Sequence, residues 1–281
     1  TLWWGNRLTA SVATRYDIYN FDDAPMIDGE IYSGLKNRFL PSAYLEWGLP
    51  LLRPGVSWTQ VIEPRARITT MRHINESQFA ANNDSVGALL SDATLFSNNR
   101  FSGLDLWENG TFADYGVRWA AFDANGKTIE AFVGQTYDFT NREDTDRNSG
   151  FRNGQSDYVG RVGYNNMEWL NIYTRFRLAQ EDLALRHIET NFVLGTPRNF
   201  VNLGHIWSRQ FYDAQTQAET IHEFAGGIGI GITDRWSVRW NAIYNATNEN
   251  FQQHSGALYY EHPCYYLSFG YRRDNAKKAD Y

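Results

Sequence analysis

The sequence lacks several features that would place it in a common class of protein. It contains a single cysteine, Cys264, among 281 residues, so no disulfide can form within the chain. A formal net charge of −6 gives no basic footprint for nucleic acid. A run of about 18 apolar residues is also missing, which excludes a transmembrane helix. The first residues, TLWWGNRLTA, include neither a starting methionine nor a basic signal region, so we expect a piece of a longer protein.

Aromatic residues, by contrast, are abundant. They make up 16% of the chain, with 10 Trp and 17 Tyr, while charged residues reach only 21%. Two classes of protein share this composition. One is a soluble β-protein, and the other is an outer-membrane β-barrel, in which only alternate residues of each strand face lipid.

The dominant pattern along the chain is a period of two. In LNIYTRFRL, Leu170 and Ile172 share one face while Arg175 and Arg177 share the other. The same alternation recurs in TIEAFVGQTYDF, DYGVRWA and EFAGGIGIGI. Alternation of this kind predicts β-strands with one apolar and one polar face.

About thirteen segments follow this pattern. They are residues 7–19, 38–50, 58–72, 112–122, 127–139, 156–164, 170–180, 184–195, 199–212, 219–232, 236–246, 251–262 and 264–272. Most reach the roughly 9–11 residues that cross a bilayer as a tilted strand, whereas soluble strands average about 5–6. The predicted fold class is therefore all-β, a transmembrane antiparallel β-barrel.

The connections between these segments alternate in length. LRPGVS, DANG, NNM, TPR, TD and HP are short, whereas 20–37, 73–111 and 140–155 are long. The short link at 181–183 is the exception. In bacterial barrels the short turns face the periplasm and the long loops face outside.

This alternation places Cys264 at a short turn, on the same side as the turn at 233–234. That side is the periplasm, an oxidising compartment. Two interpretations remain equal on spacing alone. Cys264 either forms a disulfide with a cysteine outside this chain or is a free, half-buried thiol.

Pro64 interrupts WTQVIEPRARI, which otherwise has the pattern of a strand. Proline has no N–H to donate to a neighbouring strand. We therefore expect a bulge there, or a position where the missing N–H faces no partner.

The polar face should line the inside of the barrel, because a charge on the lipid face costs roughly 2–4 kcal/mol at mid-bilayer. We expect Ile228, Ile230 and Ile232 to face outward and Arg175 and Arg177 to face inward. The inside is either a hydrated lumen without selectivity or one shaped for a plug or an amphiphilic substrate.

Motifs for catalysis are weak. The six histidines form no H-E-x-x-H pair, and no G-x-S-x-G elbow occurs. His187 and Ser208 could pair on adjacent strands, as an outer-membrane hydrolase would require. Asp22–Asp23 and Asn82–Asp84 could bind calcium, although such runs are more often solvated loop tips. We predict no catalytic residue, no metal and no cofactor.

Residues 82–119, NNDSVGALLSDATLFSNNRFSGLDLWENGTFADYGVRW, resemble the signature of the LptD family of lipopolysaccharide-assembly outer-membrane proteins. VGQTYDF, ITDRWSVRW and YYEHPCYYLSFGYRRD follow in the family's order, so the resemblance covers most of the chain from about residue 40. The residues that carry it are Asn99, Arg100, Gly103 and Asp105, then Tyr115–Gly116, and, in the upstream strand TQVIEPRARI, Glu63, Pro64 and Arg65.

The resemblance implies a barrel of about 26 strands in the outer membrane of a Gram-negative cell. It implies a periplasmic jellyroll domain before the barrel and an LptE-like lipoprotein plug in the lumen. Lipopolysaccharide would arrive through a periplasmic Lpt bridge protein and enter the outer leaflet between the first and last strands. Residues 1–281 would then be roughly the C-terminal half of the barrel domain, short of its final strands, and without the jellyroll, the first strands or the gate.

The family often has two adjacent cysteines at the position of Cys264, which bond to cysteines of the periplasmic domain. This chain has Cys264 followed by Tyr265, so the resemblance implies one bridge at most.

The resemblance points to a translocon that performs no chemistry, with the loop at 73–111 folded inward or capping the lumen. The alternative from another class is a porin or substrate-selective diffusion channel. An even strand count with paired ends would favour that alternative.

Overall fold

The computed structural model describes residues 3–25, 31–72, 90–140, 150–152, 154–166, 168–211 and 218–275. Within these ranges the chain folds into one antiparallel sheet, with a single 3-10 turn at Trp3–Gly5. No helix in the described part is long and apolar enough to cross a membrane. The candidate calcium cluster Asn82–Asp84 lies outside the described residues.

In the described part of the chain, sixteen strands make up the sheet. They are β1 (Arg7–Pro25), β2 (Ile31–Gly48), β3 (Leu51–Arg53), β4 (Trp58–Met71), β5 (Gly110–Asp123), β6 (Thr128–Asp138), β7 (Phe151–Arg152), β8 (Gln155–Ser156), β9 (Tyr158–Asn165), β10 (Leu170–Leu178), β11 (Leu185–Gly195), β12 (Phe200–Phe211), β13 (Ala218–Gly231), β14 (Trp236–Asn245), β15 (Asn250–His262) and β16 (Tyr265–Asp274).

Thirteen of them form a continuous path in the order β1-β2-β4-β5-β6-β9-β10-β11-β12-β13-β14-β15-β16. The thirteen predicted segments correspond to these strands, which confirms the all-β prediction. β3 pairs with β4, and the short hairpin β7–β8 joins β6. Among the described residues β1 pairs only with β2 and β16 only with β15, so the paired ends that would favour a porin are not found there.

The prediction was wrong for the first hairpin, where residues 20–37 were expected to form a loop. β1 and β2 instead continue to pair as far as Pro25 and Ile31, across one register shift. An edge-to-face aromatic contact between the two strands supports the extension, since the ring centroids of Phe21 on β1 and Tyr32 on β2 lie 6.1 Å apart. Such aromatic pairs stabilise a ribbon that its local polar sequence would not predict.

Pro64 lies at a position of the expected second kind, because its missing N–H faces the gap between β2 and β3. Its register opposite Val117 of β5 is unbroken. On the other side its carbonyl accepts a hydrogen bond from the N–H of Leu49 at 3.1 Å. Proline cannot return that bond, and Leu49 lies in the gap between β2 and β3.

The two faces of the sheet differ in polarity as predicted. Ile228, Ile230 and Ile232 are 39%, 49% and 59% exposed, whereas Arg177 is 5% exposed. We call the apolar face the outer face and the opposite one the inner face. Other exposed side chains of the outer face are Val12, Ile18, Leu45, Ile68, Val133, Leu203, Phe224, Trp240 and Phe269.

Candidate functional site

The chain between β4 and β5 returns onto the inner face of the sheet. We call residues 90–109 the inner loop segment. Its apolar anchors, Leu90 and Leu95, are buried in a cluster with Val159 of β9. Phe96 and Phe132 pack against this cluster. The position confirms the expectation that part of this loop folds inward.

The inner face of the sheet has a recess that accommodates Leu95. Gly134 of β6 lies beneath Leu95, and a Cβ added to Gly134 would collide with Leu95 Cδ2. The same Cβ position lies 2.8 Å from the carbonyl oxygen of Tyr115 and also close to the ring of Phe132. Only glycine leaves room for this approach.

Arg100 joins the inner loop segment to the wall through buried ion pairs. Its Nη1 donates to Glu108 Oε1 at 2.9 Å, and its Nη2 donates to Asp114 Oδ1 of β5. Asp114 also accepts a hydrogen bond from Thr136 Oγ1 at 2.7 Å. The guanidinium lies 4.4 Å from the ring centroid of Phe112. Removal of one partner from such a pair costs about 3–5 kcal/mol, because the other charge stays buried.

The neighbouring motif positions shape the segment itself. The side-chain oxygen Oδ1 of Asn99 accepts a hydrogen bond from the N–H of Glu108 at 3.0 Å, and its side-chain Nδ2 donates to the Leu106 carbonyl at 3.2 Å. Gly103 has a φ of 81°, in the left-handed region that favours glycine. Asp105 presents its main-chain carbonyl to Arg38, 2.6 Å away.

Three arginines of the wall hold the segment by its main chain. Arg15 of β1 donates to the Leu104 carbonyl at 2.8 Å, and Arg38 of β2 donates to the same carbonyl at 3.1 Å. Arg67 of β4 donates to the Phe96 carbonyl and to Asn98. These three arginines were not predicted from the sequence, although their alternate positions on the strands were a usable signal.

A row of charges holds the other end of the segment. The buried Asp92 lies 3.0 Å from Arg161 of β9 and 3.3 Å from Arg175 of β10. Arg161 also lies 3.1 Å from Glu130, and Arg175 lies 3.9 Å from Glu189. Each cation thus has two carboxylates, which offsets the cost of partial burial.

The Glu-Pro-Arg motif lies beside this site. Arg65 makes two hydrogen bonds to Glu46, at 3.0 and 2.9 Å, and lies 4.3 Å from the ring centroid of Phe96. Glu63 accepts a hydrogen bond from Arg7 at 2.8 Å. Arg65 therefore contacts the inner loop segment through Phe96, whereas Glu63 ties β4 to β1.

The other candidates lie away from the inner loop segment. His187 and Ser208 are register partners on β11 and β12, and no hydrogen bond joins their side chains. Asp23 is bonded locally to Ser33, whose hydroxyl donates to it at 2.8 Å. In the ranges the structure describes, no group of three His, Cys, Asp or Glu could hold a metal ion.

Cys264 lies at the two-residue turn between β15 and β16, exposed and as a free thiol. Its N–H donates to Nδ1 of His262 at 3.3 Å. The turn is at the same end of the sheet as the β13–β14 turn, as predicted. The disulfide stays a prediction.

Comparisons with known proteins agree with this architecture. The model of the family LptD, described as LPS transport system D, matches residues 1–236. The LPS-assembly protein LptD of Acinetobacter baumannii is 25% identical over 293 residues, which cover 94% of this chain and 34% of that protein. The chain thus spans about a third of the length of this curated relative. Since the family match takes in most of the chain, including every strand from β1 to β13, the chain belongs to the LptD family.

Proposed function

We propose that this chain is the C-terminal half of a transmembrane barrel domain, in a Gram-negative outer-membrane translocon that inserts lipopolysaccharide into the outer leaflet. Family membership supports the proposal, as does the two-faced sheet. An exposed apolar outer face suits lipid, and an inner face of arginines, carboxylates and amides suits sugars and phosphates. β1 and β16 would then pair with further strands of the same barrel.

The observation that carries the proposal is the docking of the inner loop segment. It contacts β1, β2 and β4 through arginines, β5 through Asp114, and β9 and β10 through Asp92. A porin needs an open path, whereas this segment covers one end of the inner face. We infer that it closes the outer end of the lumen, so that an amphiphile leaves sideways into lipid.

We propose that an LptE-like lipoprotein plug occupies the lumen and that a periplasmic Lpt bridge protein delivers lipopolysaccharide through a domain preceding the barrel. We also propose that the protein is not an enzyme. Transport of this kind makes and breaks no covalent bond, and its energy would come from upstream.

Replacement of Arg100 tests the role of the segment. We expect Arg100→Ala to leave Asp114 buried and uncompensated, and so to release the segment from the wall. In cells depleted of their own full-length protein, the full-length variant should deliver less lipopolysaccharide to the surface, measured with an impermeant label. Arg272→Ala is the matched control, because the Arg272–Asp274 pair is exposed and such pairs contribute only about 0–1 kcal/mol.

Two results would oppose this function. One is normal surface lipopolysaccharide in cells without the protein. The other is large, steady ion conductance by the purified full-length protein in planar bilayers with the plug protein bound, which is the behaviour of a diffusion channel.

A further inference from the structure

A second recess lies on the inner face, away from the inner loop segment. It has a volume of about 630 Å³ and lies where β9 to β12 and β14 meet Glu168–Trp169 and Thr196–Pro197 at the ends of the strands. None of residues 90–109 lines it. We call it the amide groove.

The groove takes its name from asparagines aligned by strand register. Asn165 of β9 is the partner of Asn171 of β10. Asn202 of β12 is the partner of Gly227 of β13, which in turn is the partner of Asn241 of β14. Val193 of β11 lies between Asn171 and Asn202 in the same row. Four amides therefore stand at one level of the wall.

Several of these polar groups have no protein partner in the described part of the chain. Asn202 Oδ1 is buried and accepts no hydrogen bond there. The side chains of Asn171 and Asn241 make none there either. A Cβ on Gly227 would collide with the side-chain oxygens of both Asn202 and Asn241. The two oxygens therefore lie on either side of one point above Gly227. A buried acceptor without a hydrogen bond costs about 1–3 kcal/mol.

Arg239, the carboxylate of Glu168 and several apolar surfaces complete the groove. Arg239 lies 4.9 Å from the ring centroid of Tyr259 and 6.0 Å from that of Phe200. No carboxylate among the described residues pairs with it. Trp169, at the rim, is 48% exposed.

We propose that the amide groove binds a sugar unit that carries an anionic substituent, within the saccharide of lipopolysaccharide. An amide donates and accepts hydrogen bonds, as a sugar hydroxyl does, so a row of amides matches a row of hydroxyls. Arg239 suits a phosphate or carboxylate on the sugar, and the indole of Trp169 suits the apolar face of its ring. This inference rests on the proposed function.

The position of the groove fits transport. It opens at the end of the sheet that carries the short turns, which is the periplasmic end in the proposed orientation. A saccharide that enters the lumen from the periplasm would therefore reach the amide groove before the inner loop segment.

The test uses the full-length protein in detergent and the saccharide freed from lipid by mild acid hydrolysis of purified lipopolysaccharide. We expect Asn202→Leu combined with Asn241→Leu to weaken binding by about tenfold, measured by calorimetry, since two or more hydrogen bonds are lost. Asn248→Leu, an exposed asparagine in the turn at the opposite end, is the control and should bind as wild type.

Arg239→Gln gives a second readout that does not depend on a large change of shape. It should remove the preference for the phosphorylated saccharide over the same saccharide treated with phosphatase. Each variant is first shown to be folded, because a folded barrel remains resistant to SDS at room temperature.

Equal binding by folded wild type and the double variant would overturn the proposal. So would a photo-reactive residue at position 241 that forms its adduct with a protein instead of a glycan, because the groove would then be a protein interface. Neither result would contradict the proposed transport function, which is tested separately by measuring lipopolysaccharide at the cell surface.

Discussion

The absence of a Cβ at Gly134 is what allows the inner loop segment to pack against β6. Its Cα lies on the inner face of β6, where the buried Leu95 fills the space that a Cβ would need. Main-chain atoms block relief on the other side, since the Tyr115 carbonyl is 2.8 Å from the same Cβ position. Any side chain here must push the inner loop segment off the wall or move a strand.

We expect Gly134→Ala to destabilise the docked segment by about 1–3 kcal/mol, the usual cost of overpacking. The measurement is the apparent Tm of the full-length protein, read as the loss of its fast-migrating folded form on semi-native gels. Gly163→Ala is the matched control on the same face, where a Cβ would lie 3.5 Å from its nearest neighbour, a side-chain atom of Glu130. Adding Leu95→Ala to Gly134→Ala should restore part of the loss, and no recovery would contradict the proposed collision.

At the scale of elements, the sequence predicts the strands better than it predicts their contacts. The polar–apolar period located β4, β6 and β14 to within a residue at most ends, because the pleat itself imposes that period. It did not extend β1 and β2 through residues 20–37, where pairing between the two strands outweighs local composition. The family motif includes Arg100, whereas no sequence pattern singled out Arg38 or Arg67. These two arginines donate to main-chain carbonyls of a distant loop, which the sequence does not indicate.

The inner loop segment is itself an element that can be removed. Met71 and Gly110 are register partners at the ends of β4 and β5, so a two-residue turn in place of 72–109 would preserve the ladder. We expect the shortened full-length protein to fold but to show raised ion conductance in planar bilayers, since one end of the inner face is uncovered. Replacement of the 246–249 turn, at the same end of the sheet, should change nothing. Unchanged conductance after the deletion would show that the segment does not close the lumen.

At the scale of the whole molecule, the described residues form one antiparallel sheet whose edge strands are β1 and β16. The thirteen-strand path was predictable, because it follows from local pattern and turn chemistry. Closure of the sheet was not predictable, since β1 and β16 each pair with only one neighbouring strand among the described residues and the sequence does not identify a second one. The amide groove was not predictable either, because its four asparagines lie on four strands and meet only through register.

Cys264 provides the test of how this wall connects to the rest of the protein. It is exposed at a short turn, and the chain holds no second cysteine. If short turns face the periplasm, the thiol lies in an oxidising compartment and can bond to a cysteine of a preceding periplasmic domain. We expect the full-length protein to migrate differently on non-reducing gels from its Cys264→Ser variant, and the two to coincide after reduction. Identical migration without reductant would show that Cys264 is a free thiol and would contradict the predicted disulfide.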